Sequence, residues 1–243
     1  MTVVGFIGAG NMASALARGW GDPVLASDSG SGRAAALVAE LGGEALSNAE
    51  VFARADVVIL AHKPYQLAAV ADPIRTDTLI VSILGGTPVA ELEAAYPDAP
   101  VIRVEPNVAT AVGAGVTLLA ASERPEAAIA RELFGRVGKV VELPEHLIDV
   151  AGAVSGVGPA YWALIAEAWA DSAIRHGIPA PLAATLVAET MAGTAALLTQ
   201  TDTLTLRRGV TSPGGSTARG LAALERGGVR RALAEAMDDV VGG

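Results

Sequence analysis

The residues that most constrain this chain's fold lie at its start. An apolar run, Val3 to Ile7, passes directly into Gly8-Ala9-Gly10-Asn11-Met12-Ala13 and on into a helical pattern through Leu16. A strand that ends on a glycine turn and opens a helix is the context a dinucleotide-binding turn requires. Gly8 permits the tight turn and Gly10 lets the backbone approach a pyrophosphate. Ala13 stands where a third small residue allows helix and strand to pack closely. Unpaired N–H groups at Asn11 and Met12, with the helix dipole, would then hold the phosphates. A turn that merely packs is the other use of such a segment.

The rest of the first half keeps this rhythm. Further β-branched runs lie at Val24 to Ser27, Val57 to Ala61, Leu79 to Ile83, Val101 to Val104, Val116 to Ala120 and near Val140 to Leu143. Alanine-rich segments of helical period, such as Arg33 to Leu41 and Pro125 to Arg136, alternate with them, which is the pattern of parallel strands with crossover helices. DVVILA has no polar alternation and reads as a strand buried on both faces. The expected fold class is α/β, an N-terminal Rossmann-like doubly wound sheet over residues 1–145 with a C-terminal all-α domain over 146–243. The helices expected there are His146 to Val154, Pro159 to His176, Ala180 to Thr199, Thr217 to Arg226 and Val229 to Val241. Gly177 followed by Pro179 marks a stop between two of them.

Between Val150 and Leu206 the charged residues are only Glu167, Asp171, Arg175, Glu189 and Asp202. Helices apolar nearly all round need cover on more than one side, and a hundred-residue bundle has little interior to give them. A homodimer through the C-terminal helices follows, with an oligomer of dimers left open and a tightly wrapped monomer as the alternative.

Composition narrows the partners. Hydrophobic residues make up 51% and charged residues 18%, which excludes a disordered chain. A net charge of -9 repels nucleic acid and anionic membrane surfaces alike. With no cysteine there is no disulfide framework, zinc-thiolate site or cysteine nucleophile. His62, His146 and His176 are far apart in sequence, so no metal site is expected. The start lacks the basic segment of a signal peptide, and the longest uncharged stretch, Val150 to Ala166, falls short of the ~18 apolar residues of a spanning helix. A cytoplasmic protein without nucleic-acid or membrane partners is the expectation.

Three more segments carry candidate chemistry. Asp28, at the end of the second strand run, stands where an acidic group meets an adenosine ribose and argues for NAD(H), while Ser29, Ser31 and Arg33 suit the 2′-phosphate of NADP(H). Asp28 as a simple turn residue is a third reading. Ala61-His62-Lys63-Pro64 follows DVVIL at the carboxyl end of a strand, where open sheets bind ligands. Ala61, Lys63 and Pro64 either line a cofactor groove or begin the next helix. Finally, Ser212-Pro213-Gly214-Gly215-Ser216-Thr217 precedes a helix. It is either a loop whose Ser216 or Thr217 caps that helix, or a seat for a carboxylate built from N–H groups and hydroxyls.

With FIGAGNMASAL, AHKPYQ, RVEPN, SGVGPAY and VTSPGGSTARGLAALERGGVRRAL in this order, the chain resembles the pyrroline-5-carboxylate reductase family over nearly its whole length. The resemblance implies a dinucleotide-binding domain, an interlocked helical dimer and hydride transfer from a reduced nicotinamide to the imine carbon of a carboxylated cyclic imine, giving L-proline. NADP(H) is slightly favoured, with NAD(H) open. It further implies that Ser212, Gly214, Gly215, Ser216 and Thr217 bind the substrate, with Thr217 on the ring nitrogen as the catalytic residue, and that Asn107 joins the cofactor site. A hydrogen-bond donor at that nitrogen matters most in the transition state.

The chain departs from the family pattern at several places. Arg103-Val104-Glu105-Pro106-Asn107 replaces R-x-M-P-N, Val157 replaces a serine, Arg207-Arg208-Gly209 replaces an acidic segment, and the turn from Arg18 to Val24 is short. These leave open a reductase of another cyclic imine, or a cofactor-binding dimer with weak or no catalysis.

Overall fold

The computed structural model describes residues 2–242, and the chain divides after Pro159 into two compact units. In the first, eight strands form one sheet: β1 (Val4–Ile7), β2 (Val24–Ser27), β3 (Gly43–Ala45), β4 (Val57–Leu60), β5 (Leu79–Ser82), β6 (Val101–Pro106), β7 (Gly115–Ala120) and β8 (Gly138–Leu143). Their order is β3-β2-β1-β4-β5-β6-β7-β8. Every neighbouring pair is parallel except the antiparallel β6–β7. The crossovers carry α1 (Asn11–Trp20), α2 (Arg33–Leu41), α3 (Asn48–Arg54), α4 (Leu67–Ala71), α5 (Val89–Ala95) and α6 (Ala127–Gly135), and α7 (Ile148–Ser155) follows the last strand.

The period-2 alternation of buried strands divides their side chains between two apolar layers. Phe6 of β1 enters one layer with Ala13, Leu16, Trp20 and Phe134. There Trp20 stacks on Phe6 at 5.7 Å and meets Phe134 edge-on at 5.6 Å, while its Nε1–H donates to Leu133 O at 2.9 Å. Ile7, the next residue, enters the opposite layer with Val51, Phe52, Leu60 and Leu92. DVVIL is a strand buried on both faces, as its composition requires. Gly19 fixes how close α1 lies to the 3-10 turn Val108–Val112, since a Cβ there would overlap Thr110 O.

Tyr96 sits in the second layer, 3% exposed and 5.8 Å from the Phe52 ring. Its hydroxyl is buried without a hydrogen-bond partner among the described residues, and burial pushes its pKa far above the usual phenol range. An unsatisfied buried hydroxyl costs about 1–3 kcal/mol. Tyr96→Phe should therefore be neutral or raise the melting temperature, and a loss of more than about 1 kcal/mol in denaturant unfolding would contradict this packing.

The expected strands are present, with shifted ends: β4 stops at Leu60, β6 runs on to Pro106 and β8 starts at Gly138. β3, α3 and α5 were not expected from sequence. β3 is exposed along its whole length, so no apolar run marks it. α3 begins on a capping box, Ser47 with Glu50, which is legible in Ser47-Asn48-Ala49-Glu50. The expected helix from His146 is a 3-10 turn, Glu145–Leu147, leading into α7. This helix packs on the sheet, with Ile148 fully buried against Leu118 and Ala120. Arg103 of β6, 3% exposed, holds it there by donating to Asp149 at 2.6 Å and Glu145 at 3.4 Å.

The second unit is helical: α8, which begins just before the division (Gly158–Arg175), α9 (Ala180–Leu198), α10 (Thr203–Gly209), α11 (Ser216–Arg226) and α12 (Val229–Val241). Gly177, at φ +93°, ends α8 as the sequence indicated. α10 was not expected; Asp202 caps it by accepting from the N–H groups of Leu204 and Thr205. α8 buries no residue within the chain and α9 only Ala183 and Val187. Trp162 and Leu164 are 61% and 65% exposed. By length and composition alone, Glu145–Arg175 and Ala180–Leu198 would suffice to cross a membrane. Large exposed apolar faces of this kind mark a surface that another body covers.

Candidate active site

A cleft of about 610 Å³ opens at the carboxyl ends of β1, β2, β4 and β5, where the strand order reverses between β1 and β4. That volume suits a cofactor-sized ligand, and the switch point is where doubly wound sheets bind. Gly8, Gly10, Asn11, Met12, Asp28, Ala61, Lys63 and Pro64 all line it.

The two glycines act differently. Gly8 has φ +101°, and a Cβ on it would stand 2.8 Å from the Ala61 carbonyl group and from His62 N, so the turn itself requires glycine. Gly10 has an ordinary φ of -76° as the N-cap of α1, and a Cβ there would meet no protein atom within 4 Å. What glycine spares at position 10 is therefore space in the cleft. No side chain caps α1, its first helical bond is Ser14 N to Gly10 O at 2.9 Å, and the N–H groups of Asn11 and Met12 have no protein acceptor among the described residues. A helix N-terminus with free donors and room for an anion fits a dinucleotide pyrophosphate. Ala13, fully buried, serves the close packing assigned to it.

Asp28 spends its carboxylate on the loop. One oxygen accepts from Gly30 N at 2.7 Å and Ser31 N at 3.0 Å, and the other accepts from Ala34 N at 2.7 Å. These bonds, that from Ala34 foremost, hold its pKa below the usual carboxylate range. Ser29, Ser31 and Arg33 face the same cleft.

Past β4, Pro64 occupies the first position of a short 3-10 turn, Pro64–Gln66, and Ala61, Lys63 and Pro64 also line the cleft. His62, which sequence reasoning left out of the site, lines the cleft too. Asn107 is not among the lining residues. Its amide donates to Ser155 O at 3.0 Å and accepts from Val116 N at 3.2 Å, tying the end of α7 to β7.

Glu105 faces α7. A Cβ on Gly152 would overlap its carboxylate, so the glycine makes the room it occupies. The pKa of Glu105 is raised, by burial first and by Asp149 second, with Arg103 pulling the other way. A folded-state pKa above the unfolded one means that stability falls as pH rises through the carboxylate range. Glu105→Gln should accordingly raise the melting temperature at pH 7, on the order of 2 °C, and the gain should vanish near pH 4. An equal gain at both pH values would refute this.

In the second unit, Ser212 to Thr217 form the turn into α11. Gly214 has φ +70°, and Gly215 N donates to Ser212 O at 3.1 Å. Gly215 is the N-cap and no side chain caps the helix, which corrects the capping role considered for Ser216 and Thr217. Their N–H groups and hydroxyls make no hydrogen bond among the described residues, and both residues are exposed. The loop thus gathers Ser212, Gly214, Gly215, Ser216 and Thr217 around free donors at a helix N-terminus.

A doubly wound sheet with a glycine turn at its switch point, joined to an apolar helical unit, defines the class of dinucleotide-dependent oxidoreductases. Residues 3–86 match the family model described as NADP oxidoreductase coenzyme F420-dependent, and residues 145–242 match that for pyrroline-5-carboxylate reductase dimerisation. The chain is 36% identical to pyrroline-5-carboxylate reductase 3 of Mus musculus over 97% of its length and 92% of that protein's. Among solved structures, 1-pyrroline-5-carboxylate reductase from Streptococcus pyogenes superposes with a TM-score of 0.89 at 28% identity, covering 99% of this chain and 96% of that one. The Plasmodium falciparum pyrroline carboxylate reductase with NADP bound gives 0.87 at 26% identity over 98% and 95%. The chain belongs to the pyrroline-5-carboxylate reductase family. The homodimer expected from the apolar helices has its counterpart in the dimerisation segment, and the exposed faces of α8 and α9 lie within it.

Proposed function

We propose that this protein is an NAD(P)H-dependent reductase that converts 1-pyrroline-5-carboxylate to L-proline, working as a cytoplasmic homodimer. Its functional halves meet near residue 145, where the dimerisation match begins. The observation that carries the reading is the pair of helix N-termini with free donors, one in each unit: at α1 for a pyrophosphate and at α11 for a carboxylate. Reduced nicotinamide, when bound, supplies the hydride.

The chain's own residues do the rest. Gly10, Asn11 and Met12 receive the phosphates, and Ala61, Lys63 and Pro64 line the groove beside them. The N–H groups from Gly214 to Thr217 and the Ser212 hydroxyl hold the substrate carboxylate, which positions the ring. The Thr217 hydroxyl meets the ring nitrogen, whose basicity rises as hydride adds to the neighbouring carbon. Asn107 contributes to this site by fixing the β6 end against α7.

NADPH is the preferred cofactor. With both Asp28 oxygens engaged by backbone N–H groups and the Ser31 hydroxyl bonded within the same loop, the carboxylate shapes the loop, and the Ser29 hydroxyl and the Arg33 guanidinium are left to receive a 2′-phosphate. The decay of reduced-nicotinamide absorbance with 1-pyrroline-5-carboxylate tests both points. Turnover with a higher kcat/KM for NADPH than NADH is expected, and Arg33→Ala should shrink that ratio. Equal efficiency with both cofactors would overturn the preference, and no turnover with either would overturn the function.

A further inference from the structure

One guanidinium beside the α11 turn has a fixed place but no counter-ion. Proline at 213 and Gly214 at φ +70° make Ser212 to Gly215 a type II turn, closed by the bond from Gly215 N to Ser212 O at 3.1 Å. In a trans peptide the carbonyl points away from the N–H. The Gly214 carbonyl therefore faces out of the turn, where Arg219 Nη1 donates to it at 2.8 Å. Long side chains on a helix lean towards its N-terminus, and this bond holds the Arg219 guanidinium over the first turn of α11.

The bond uses one of several guanidinium N–H donors and none of the charge. Arg219 makes no other side-chain hydrogen bond and no ion pair among the described residues, whereas Arg230 and Arg231 of α12 pair with Glu225 and Glu235. Its place on the helix selects which part of a ligand it can meet. Ser216 and Arg219, three positions apart, share a face of α11, and Thr217 projects from the opposite side. A cation on the Ser216 side attracts a carboxylate seated at the helix N-terminus. It also stays clear of the Thr217 side, where it would oppose the positive charge of a protonated imine nitrogen.

We propose that Arg219 is a substrate-specificity residue: its guanidinium, tethered to Gly214 O, supplies the positive charge of the carboxylate seat and so selects a carboxylated imine over one without the group. This rests on the reading of the α11 turn given above.

The test compares wild type, Arg219→Met and Arg219→Lys in steady-state kinetics on 1-pyrroline-5-carboxylate and on 1-pyrroline, with saturating NADPH at low and high salt. Arg219→Met keeps an apolar stem and removes the charge. It should raise KM for 1-pyrroline-5-carboxylate about 10-fold, the loss of one charge-assisted hydrogen bond, with kcat little changed. The kcat/KM for 1-pyrroline and the NADPH affinity by calorimetry should stay as in wild type. Arg219→Lys, which retains the charge, should recover most of the loss. Added salt should raise the wild-type KM for the carboxylated imine more than that of Arg219→Met. An unchanged KM in Arg219→Met would overturn the proposal. So would an equal loss on both imines, which would leave Arg219 as a brace of the turn. Wild type that does not distinguish the two imines would instead sink the carboxylate-seat reading, and this inference with it.

Discussion

Gly10→Val is expected to leave the protein folded and to abolish NADPH binding. A Cβ at position 10 meets no protein atom within 4 Å and the backbone there is ordinary, so the fold has no use for the glycine. The isopropyl group would instead occupy the space in front of the free N–H groups of α1. Two charge-assisted hydrogen bonds of about 1.5–3 kcal/mol each would be lost, a drop in affinity of at least ~100-fold.

Gly8→Ala should fail in the opposite manner. There φ is +101° and the added carbon would stand 2.8 Å from the Ala61 carbonyl. Backbone strain and overpacking together cost roughly 3 kcal/mol or more, or about 6–12 °C in melting temperature. Melting curves and calorimetry on the two variants separate these effects. A Gly10→Val protein that binds NADPH normally would refute the pyrophosphate seat.

The second large effect is expected at Thr217. Its side chain is exposed and makes no hydrogen bond among the described residues, so Thr217→Ala removes nothing that holds the fold. If the hydroxyl meets the ring nitrogen as charge develops there, its loss should lower kcat by about 10²–10³, the range for deleting one transition-state donor. Substrate KM and NADPH affinity should change much less. Thr217→Ser, which retains the hydroxyl, should keep most of the activity. A Thr217→Ala enzyme with unchanged kcat would remove Thr217 from the chemistry and leave the loop as a carboxylate seat only.

The sheet was legible in sequence because most of its strands are buried on both faces and read as unbroken apolar runs. β3 was not, since an exposed edge strand of Gly43, Glu44 and Ala45 carries no hydrophobic signal and owes its form to pairing with β2. α3 and α10 did carry signals, the Ser47–Glu50 box and the Asp202 cap, which periodicity in short helices does not reveal.

The glycine turn and its neighbours come together as expected because a strand–turn–helix fixes its own geometry locally. Asp28 and Asn107 illustrate what spacing cannot give. The choice between ribose, phosphate and loop as partners of Asp28 is made by the conformation of residues 30 to 34. Asn107 is bound by Ser155 and Val116, of which Ser155 is 48 positions away. His62 was named in sequence but not assigned to the site for a related reason, since only the fold leaves its Nε2 without a partner among the described residues.

The α11 turn is expected to seat a carboxylate so that the neighbouring imine is reduced. The most direct measurement is product formation by the purified protein with NADPH and either 1-pyrroline-5-carboxylate or 1-pyrroline, which lacks the carboxylate. Rapid formation of L-proline, with a kcat/KM for the carboxylated imine at least ~100-fold above that for 1-pyrroline, is the predicted result, in line with losing hydrogen bonds to a charged group. Equal efficiency on both imines, or NADPH binding without proline formation, would contradict it.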